Sequence, residues 1–206
     1  MRFFKPLIAV LALLCATYAN AGVVPGKDFK LLNPAQPVSG SKVQVMEFFF
    51  YGCSHCFHLH PLLSAWEKKI PKDVELQYVP TIFNPSWEPM AHTYYALEAL
   101  GQRKQLHDAL FEAWNVLNID LSDEAKITEF VSKRGVDAAK FGAAYNSFSM
   151  SSKIARSNQL VQSYGVRGTP TIAVDGKYII TGLQPEETIR VLNEVIEIAR
   201  KERSKH

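Results

Sequence analysis

Three cysteines in 206 residues are too few for a scaffold held together by disulfides. No internal repeat and no low-complexity segment breaks the chain, so neither a repeat array nor a disordered linker is indicated. Its leading apolar run, Leu7 to Leu14, is too short to cross a bilayer comfortably. There is also no excess of one charge. The 23 basic side chains face 20 acidic ones, and two of the basic ones, Arg2 and Lys5, lie in the N-terminal leader described next. A near-neutral body excludes the electrostatic footprint of a nucleic-acid binder. The basic run from Arg200 to Lys205 is accounted for as a solvated helix end.

The first 21 residues have the three parts of an export signal. Arg2 and Lys5 form a basic start, Leu7 to Leu14 an apolar middle, and Ala19-Asn20-Ala21 a small-x-small cleavage site before Gly22. Residues 1–21 are expected to be removed after Ala21. The alternatives are an uncleaved anchor or a lipidated Cys15. A lipoprotein signal needs a small residue before its cysteine, and Leu14 stands there. Cleavage takes Cys15 with it and leaves two cysteines, Cys53 and Cys56. An exported protein can keep a disulfide, and this pair forms the one disulfide open to the mature chain.

Cys53-Ser54-His55-Cys56 follows the apolar run Val43 to Tyr51 and opens a segment of helical pattern. A strand that delivers Cys-x-x-Cys to a helix start describes a redox dithiol. Unpaired N–H groups and the helix dipole stabilise an anion at the first cysteine, so Cys53 is expected to ionise readily and to leave readily from a disulfide. His55 adds a third anion-stabilising group. Residues 43–50 read as a central strand, apolar on both faces. Glu47 is the exception: a buried acid beneath the dithiol would have a raised pKa and could hold a proton during thiol chemistry. His58 and His60 crowd the same helix, but residues two apart point away from each other, and no second Cys-x-x-Cys completes a metal site.

Leu59, Leu62, Leu63, Trp66 and Ile70 continue the helix, with a kink expected near Phe57 to Pro61 and a stop at Pro71. Val74 to Val79 alternates as a second strand. Residues 86–164 lack strand patterning and read as four or five helices, with starts at Ser122-Asp123-Glu124 and Asp137, a stop at Gly135, and a last long helix ending at Gly165. Thr171–Val174 and Tyr178–Thr181 flank Asp175-Gly176, a hairpin signal, and an amphipathic helix runs from Pro185. A chain of this size buries one core, here with an inserted helical subdomain. The division expected is 22–85 with 165–206 as one α/β body and 86–164 as the insert.

Two segments in this order resemble the DsbA-type thiol:disulfide oxidoreductases. Phe48 to Cys56 is similar to that family's active-site segment. Gly165 to Thr171, followed by Val174 to Tyr178, is similar to its cis-proline loop and hairpin. The resemblance spans roughly residues 28–200. It implies a thioredoxin fold with an all-helical insertion, and no cofactor beyond a Cys53–Cys56 disulfide. It further implies a monomer in the periplasm that oxidises newly exported proteins with free thiols, itself reoxidised by a DsbB-type membrane partner. Catalytic roles fall to Cys53, Cys56, His55, Glu47 and a cis Pro170. Substrate contact falls to Thr169, Pro170 and Phe57, with the helical insert as the opposite wall of the groove. A lysine paired with Glu47 is implied too, either Lys68 or Lys69. Two residues depart from the common pattern. Ser54 stands where the best-known motif has proline. Thr169 precedes the loop proline where many members have valine, and threonine there also resembles disulfide isomerases. Isomerase or reductase activity is therefore one alternative function. A metal-binding or chaperone-like module without redox turnover is another, of a different class.

Overall fold

The computed structural model describes residues 22–205, so the expected export signal and Cys15 lie outside the described residues. Five strands form one sheet in the order β1-β5-β4-β2-β3. They are β1 (Lys30–Leu31), β2 (Val43–Phe49), β3 (Val74–Pro80), β4 (Thr171–Val174) and β5 (Tyr178–Thr181). Central β2 pairs in parallel with β3 and antiparallel with β4. Helix α1 (Ser54–Glu67) joins β2 to β3. Five helices lie between β3 and β4: α2 (Glu88–Ala99), α3 (Arg103–Asn115), α4 (Glu124–Ser132), α5 (Ala138–Tyr145) and α6 (Phe148–Ser163). Helix α7 (Pro185–Arg203) closes the chain.

The alternation of β2 divides the core. Val45, Glu47 and Phe49 point to one face, Met46 and Phe48 to the other. Val45 and Phe49 belong to the larger cluster, with residues of α1, α7 and α2 to α5. Met46 and Phe48 join Val79, Leu160 and Tyr164 in the smaller one, beneath α6. Because both faces are covered, β2 reads as an almost unbroken apolar run.

Local signals explain most boundaries. Asp123 and Asp137 accept the N–H groups of Lys126 and Lys140 and so cap α4 and α5. Asp175 and Gly176 both have positive φ, 52° and 68°, as a two-residue hairpin of this hand requires. A Cβ at Gly176 would also meet the Gln36 carbonyl oxygen at 2.2 Å. Two expectations need correction. Helix α1 runs through Pro61 and ends at Glu67, short of Pro71, whose carbonyl instead accepts the Val74 N–H in the turn into β3. The edge strand β1 went unread because two exposed residues carry no alternation to detect.

Gly52 sets how the dithiol enters α1. Phe50 is buried, stacked on Trp87 at 3.9 Å and edge-on to Trp114. A Cβ at Gly52 would lie 2.4 Å from the Phe50 ring and 2.7 Å from Trp114 Nε1. Gly52→Ala is therefore expected to cost about 1–3 kcal/mol through forced displacement of these rings. Urea unfolding measures it, and a cost below about 0.5 kcal/mol would show that the rings yield freely.

Candidate active site

Cys53 occupies the N-cap of α1, with extended backbone and no side-chain cap on the free N–H groups. Its thiol is half-buried and Cys56, one turn further on, is fully buried. The Thr169–Pro170 peptide bond is cis, as expected, and the loop lies directly against the dithiol: Cys53 Sγ, when protonated, donates to the Thr169 carbonyl at 3.3 Å.

The two sulfurs have opposite electrostatics. A hydrogen bond from Cys56, another from the Thr169 side chain, and the N–H groups of Cys56 and His55 favour the Cys53 thiolate. They outweigh burial and lower its pKa to about 5. Cys56 is pushed well above its ordinary value, first by burial, then by its hydrogen bond to Cys53 and by the charges of Glu47 and Cys53. Glu47 sits at the middle of the sheet, paired with Tyr78 on one side and Ile172 on the other. It is fully buried, and its pKa is raised to about 8, mainly by burial, then by the charges of Cys53 and Glu67. Neither carboxylate oxygen has a hydrogen-bond partner.

That last fact corrects the expected lysine. Neither Lys68 nor Lys69 reaches Glu47. The basic group beside Tyr78, the strand partner of Glu47, is Arg103 from α3: its guanidinium is 4.7 Å from the Tyr78 ring centre and 3.6 Å from Glu67. The family resemblance pointed to Lys68 or Lys69, just beyond α1, whereas Arg103 reaches Tyr78 and Glu67 only through tertiary packing.

Two adjoining cavities, of about 260 and 380 Å³, open beside the dithiol. His55 and Pro170 border both, with Thr169 on the first, His58 and Leu59 on the second, and Leu183, Gln184 and Thr188 shared. Their far wall is the β5–α7 connection and the first turn of α7. The expected wall of helices α2 to α6 contributes no residue to either cavity. Phe57 borders neither: it packs against the main core and the His58 ring. Leu183 and Gln184 take the place expected of it. No signal in the sequence singled them out. Among the described residues no group of three or more His, Cys, Asp and Glu side chains is arranged to hold a metal.

Comparison with known proteins agrees with this geometry. Residues 72–192 match the model of the DSBA-like thioredoxin domain. A thiol:disulfide interchange protein DsbA of Burkholderia cepacia is 37% identical over 170 residues, spanning 82% of this chain and 80% of that protein. This chain belongs to the DsbA family. The Pseudomonas aeruginosa DsbA is 34% identical over 85% of each chain. Its crystal structure superposes with a TM-score of 0.84 at 32% identity, covering 89% of this chain and 97% of that one. The neisserial structure NmDsbA1 gives 0.80 at 26% identity. The fold is thus the DsbA form of thioredoxin, with its helical insertion, and the enzyme is a thiol:disulfide oxidoreductase.

In this enzyme the first cysteine should titrate far below its free value of about 8.5. Thiolate absorbance of the reduced enzyme, followed against pH, is expected to give a first midpoint near 5 for Cys53, and Cys56→Ala, which removes the Cys56 hydrogen bond, should raise that midpoint. In Cys53→Ala, Cys56 should stay protonated past pH 9. A Cys53 midpoint near 8 would mean that the helix terminus and loop do not stabilise its anion.

Proposed function

We propose that this enzyme is a dithiol oxidase of the periplasm, working after loss of its signal peptide at Ala21. It passes the Cys53–Cys56 disulfide to exported proteins that still carry free thiols. A membrane oxidase of the DsbB type restores the disulfide. Residues 22–85 and 165–206 act as the thioredoxin-like body, 86–164 as the insert, and the enzyme works as a monomer with no cofactor besides its own disulfide.

One observation carries this reading: the two sulfurs are poised at opposite ends of the thiol scale. A substrate thiolate attacks Cys53, the reachable sulfur, and Cys56 leaves and is protonated. The product is a mixed disulfide between Cys53 and the substrate. A second substrate thiolate attacks the substrate sulfur, forms the new disulfide and expels Cys53 as a stable thiolate. The lower the pKa of that leaving group, the faster it leaves and the more the reduced enzyme is favoured. Burial makes Glu47 the acid that hands Cys56 its proton and takes it back on reoxidation. His55, through its N–H, holds the Cys53 anion, and the cis loop at Thr169 and Pro170 pairs with an extended substrate segment through backbone groups, which tolerates many sequences.

Thr169 alone favours an isomerase. An isomerase must be kept reduced, whereas an oxidase must be kept oxidised. Oxidation of a reduced peptide, with the potential titrated against glutathione, decides between them. An enzyme that only reshuffles existing disulfides would refute the oxidase.

The same titration tests the two departures from the family motif. Thr169→Val removes a hydroxyl that stabilises the Cys53 anion, so Cys53 should titrate higher and the potential should fall. Ser54→Pro removes a backbone N–H and fixes φ at the start of α1. A hydrogen bond worth ~1.4 kcal/mol moves this two-electron couple by about 30 mV. Potentials unchanged in both variants would show that Ser54 and Thr169 are neutral replacements.

A further inference from the structure

Helix α3 meets the turn that carries the dithiol along a single stripe. His107, Phe111 and Asn115 are spaced four apart and so share one face of that helix. All three grip Tyr51, two residues before Cys53. Tyr51 is buried. Its hydroxyl bonds to His107 Nδ1 at 2.7 Å, and its ring lies edge-on to Phe111 at 4.9 Å. Its carbonyl accepts the side-chain amide of Asn115 at 2.8 Å, a bond between residues 64 positions apart. Among the described residues no other donor reaches that carbonyl. The helix is in turn fixed to α1: His107 packs edge-on to His60 at 4.7 Å, and His60 Nε2 bonds to Asp108 at 2.6 Å.

Tyr51 and Gly52 are the central residues of a tight turn, closed by the Cys53 N–H on the Phe50 carbonyl at 3.0 Å. The two common forms of such a turn differ in which way the central peptide faces. One of them needs a positive φ at the third residue, which glycine adopts at no steric cost. The third residue here is Gly52, held to glycine by the Phe50 and Trp114 rings that a Cβ would strike. The residue that lets those rings close on the turn therefore also leaves its central peptide free to turn over. Gly52 is nevertheless not among the glycines of positive φ. Asn115 accounts for the choice. In the flipped turn the Tyr51 oxygen would point away from α3, and the only bond it makes would be lost.

We propose that Asn115 is a positioning residue of the thiol–disulfide reaction: its amide locks the Tyr51–Gly52 peptide, and the locked turn holds Cys53 where Thr169 and the first N–H groups of α1 meet its sulfur. The other bond of Asn115, to the Phe111 carbonyl at 2.8 Å, finishes α3 as any helix end must be finished. The bond to Tyr51 has no such local use. Cys56, Thr169 and the N–H groups of Cys56 and His55 favour the Cys53 anion, and Cys53 is delivered to them by this turn. The inserted helices, which contribute nothing to the walls of the groove, thus set the oxidising strength of the dithiol from behind. The role does not depend on which way electrons pass, since oxidase and isomerase alike react through Cys53.

The test uses the mature enzyme with Asn115→Ala and Asn115→Leu, two neutral side chains that cannot donate to Tyr51. Asn115 is half-buried at the last position of its helix, and if the smaller side chain fails to fold the larger one decides. Thiolate absorbance of the reduced form gives the Cys53 midpoint, and equilibration with glutathione gives the redox equilibrium constant. The midpoint should rise by about half a pH unit or more. At pH 7 the constant for oxidising glutathione should fall in proportion, about threefold for half a unit, because the anion exists only in the reduced form and passes its whole shift into that equilibrium. Urea unfolding of the oxidised form reads any purely structural loss separately. A midpoint and a constant that both stay at the wild-type values, even in a less stable protein, would leave Asn115 a helix end and overturn the proposal. A changed constant with an unchanged midpoint would place the effect in the oxidised form and overturn it too. A wild-type midpoint near 8 would remove the stabilised anion and the role of Asn115 together, which distinguishes that failure from a failure of the clamp alone.

Discussion

The stabilised anion at the start of α1 is the interaction on which the rest of the structure depends. Cys53 ionises far more readily than a free thiol, first because Cys56 donates a hydrogen bond to it, then because Thr169 and the N–H groups at the start of α1 do the same. Cys56, one turn deeper, meets the reverse conditions, with no solvent and a carboxylate nearby. The two thiols have the same chemistry, and only their depth along one helix separates them. That depth is fixed from behind by β2, which ends at Phe49, and by the close approach of Phe50 and Trp114 around Gly52.

The same arrangement allots the two faces of the enzyme different tasks. On one, the cis loop, β5 and the start of α7 enclose an open groove beside Cys53. On the other, the inserted helices lay aromatic and basic groups against α1 and β3: Trp87 and Trp114 around Phe50, Arg103 over Tyr78, and His107 against Tyr51. The insert thereby shapes the surroundings of the buried acid without forming a wall of the groove. Glu47 in the central strand carries a desolvation cost that an apolar residue would not. Its place beneath the dithiol is the ground for the proton role proposed for it.

Much of this was legible in the chain. Period and punctuation gave β2, α1, the hairpin at Asp175-Gly176 and the caps at Asp123 and Asp137, because those signals are local. Cys53 and Cys56 stood out for the same reason, and the cis Pro170 followed from the resemblance to the family's loop. The features that were missed depend on tertiary packing. Neither Lys68 nor Lys69 pairs with Glu47, and Arg103 comes to lie over Tyr78 and beside Glu67. Leu183 and Gln184 displaced Phe57 and the helical insert at the groove, because α7 returns to pack beside α1. The pair His60 and His107 lies 47 positions apart in the sequence, and only the packing of α3 on α1 joins it.

The central claim is that folding favours the Cys53 anion and so favours the reduced enzyme. Its most direct test is urea unfolding of the reduced and oxidised forms across pH. Cys53 titrates near 5 in the folded reduced protein and near its free value, about 8.5, when unfolded. The extra stability that Cys53 gives the reduced form should therefore be greatest near the free value, above which the raised pKa of Cys56 opposes it, and fade as pH falls through about 5. Burial of Glu47, the main cause of its raised pKa, is common to both forms and drops out of the comparison. At neutral pH the reduced form should unfold at the higher urea concentration, despite the crosslink that normally stabilises the other. An oxidised form that is the more stable throughout, with no change in the difference between pH 5 and 8, would contradict the account.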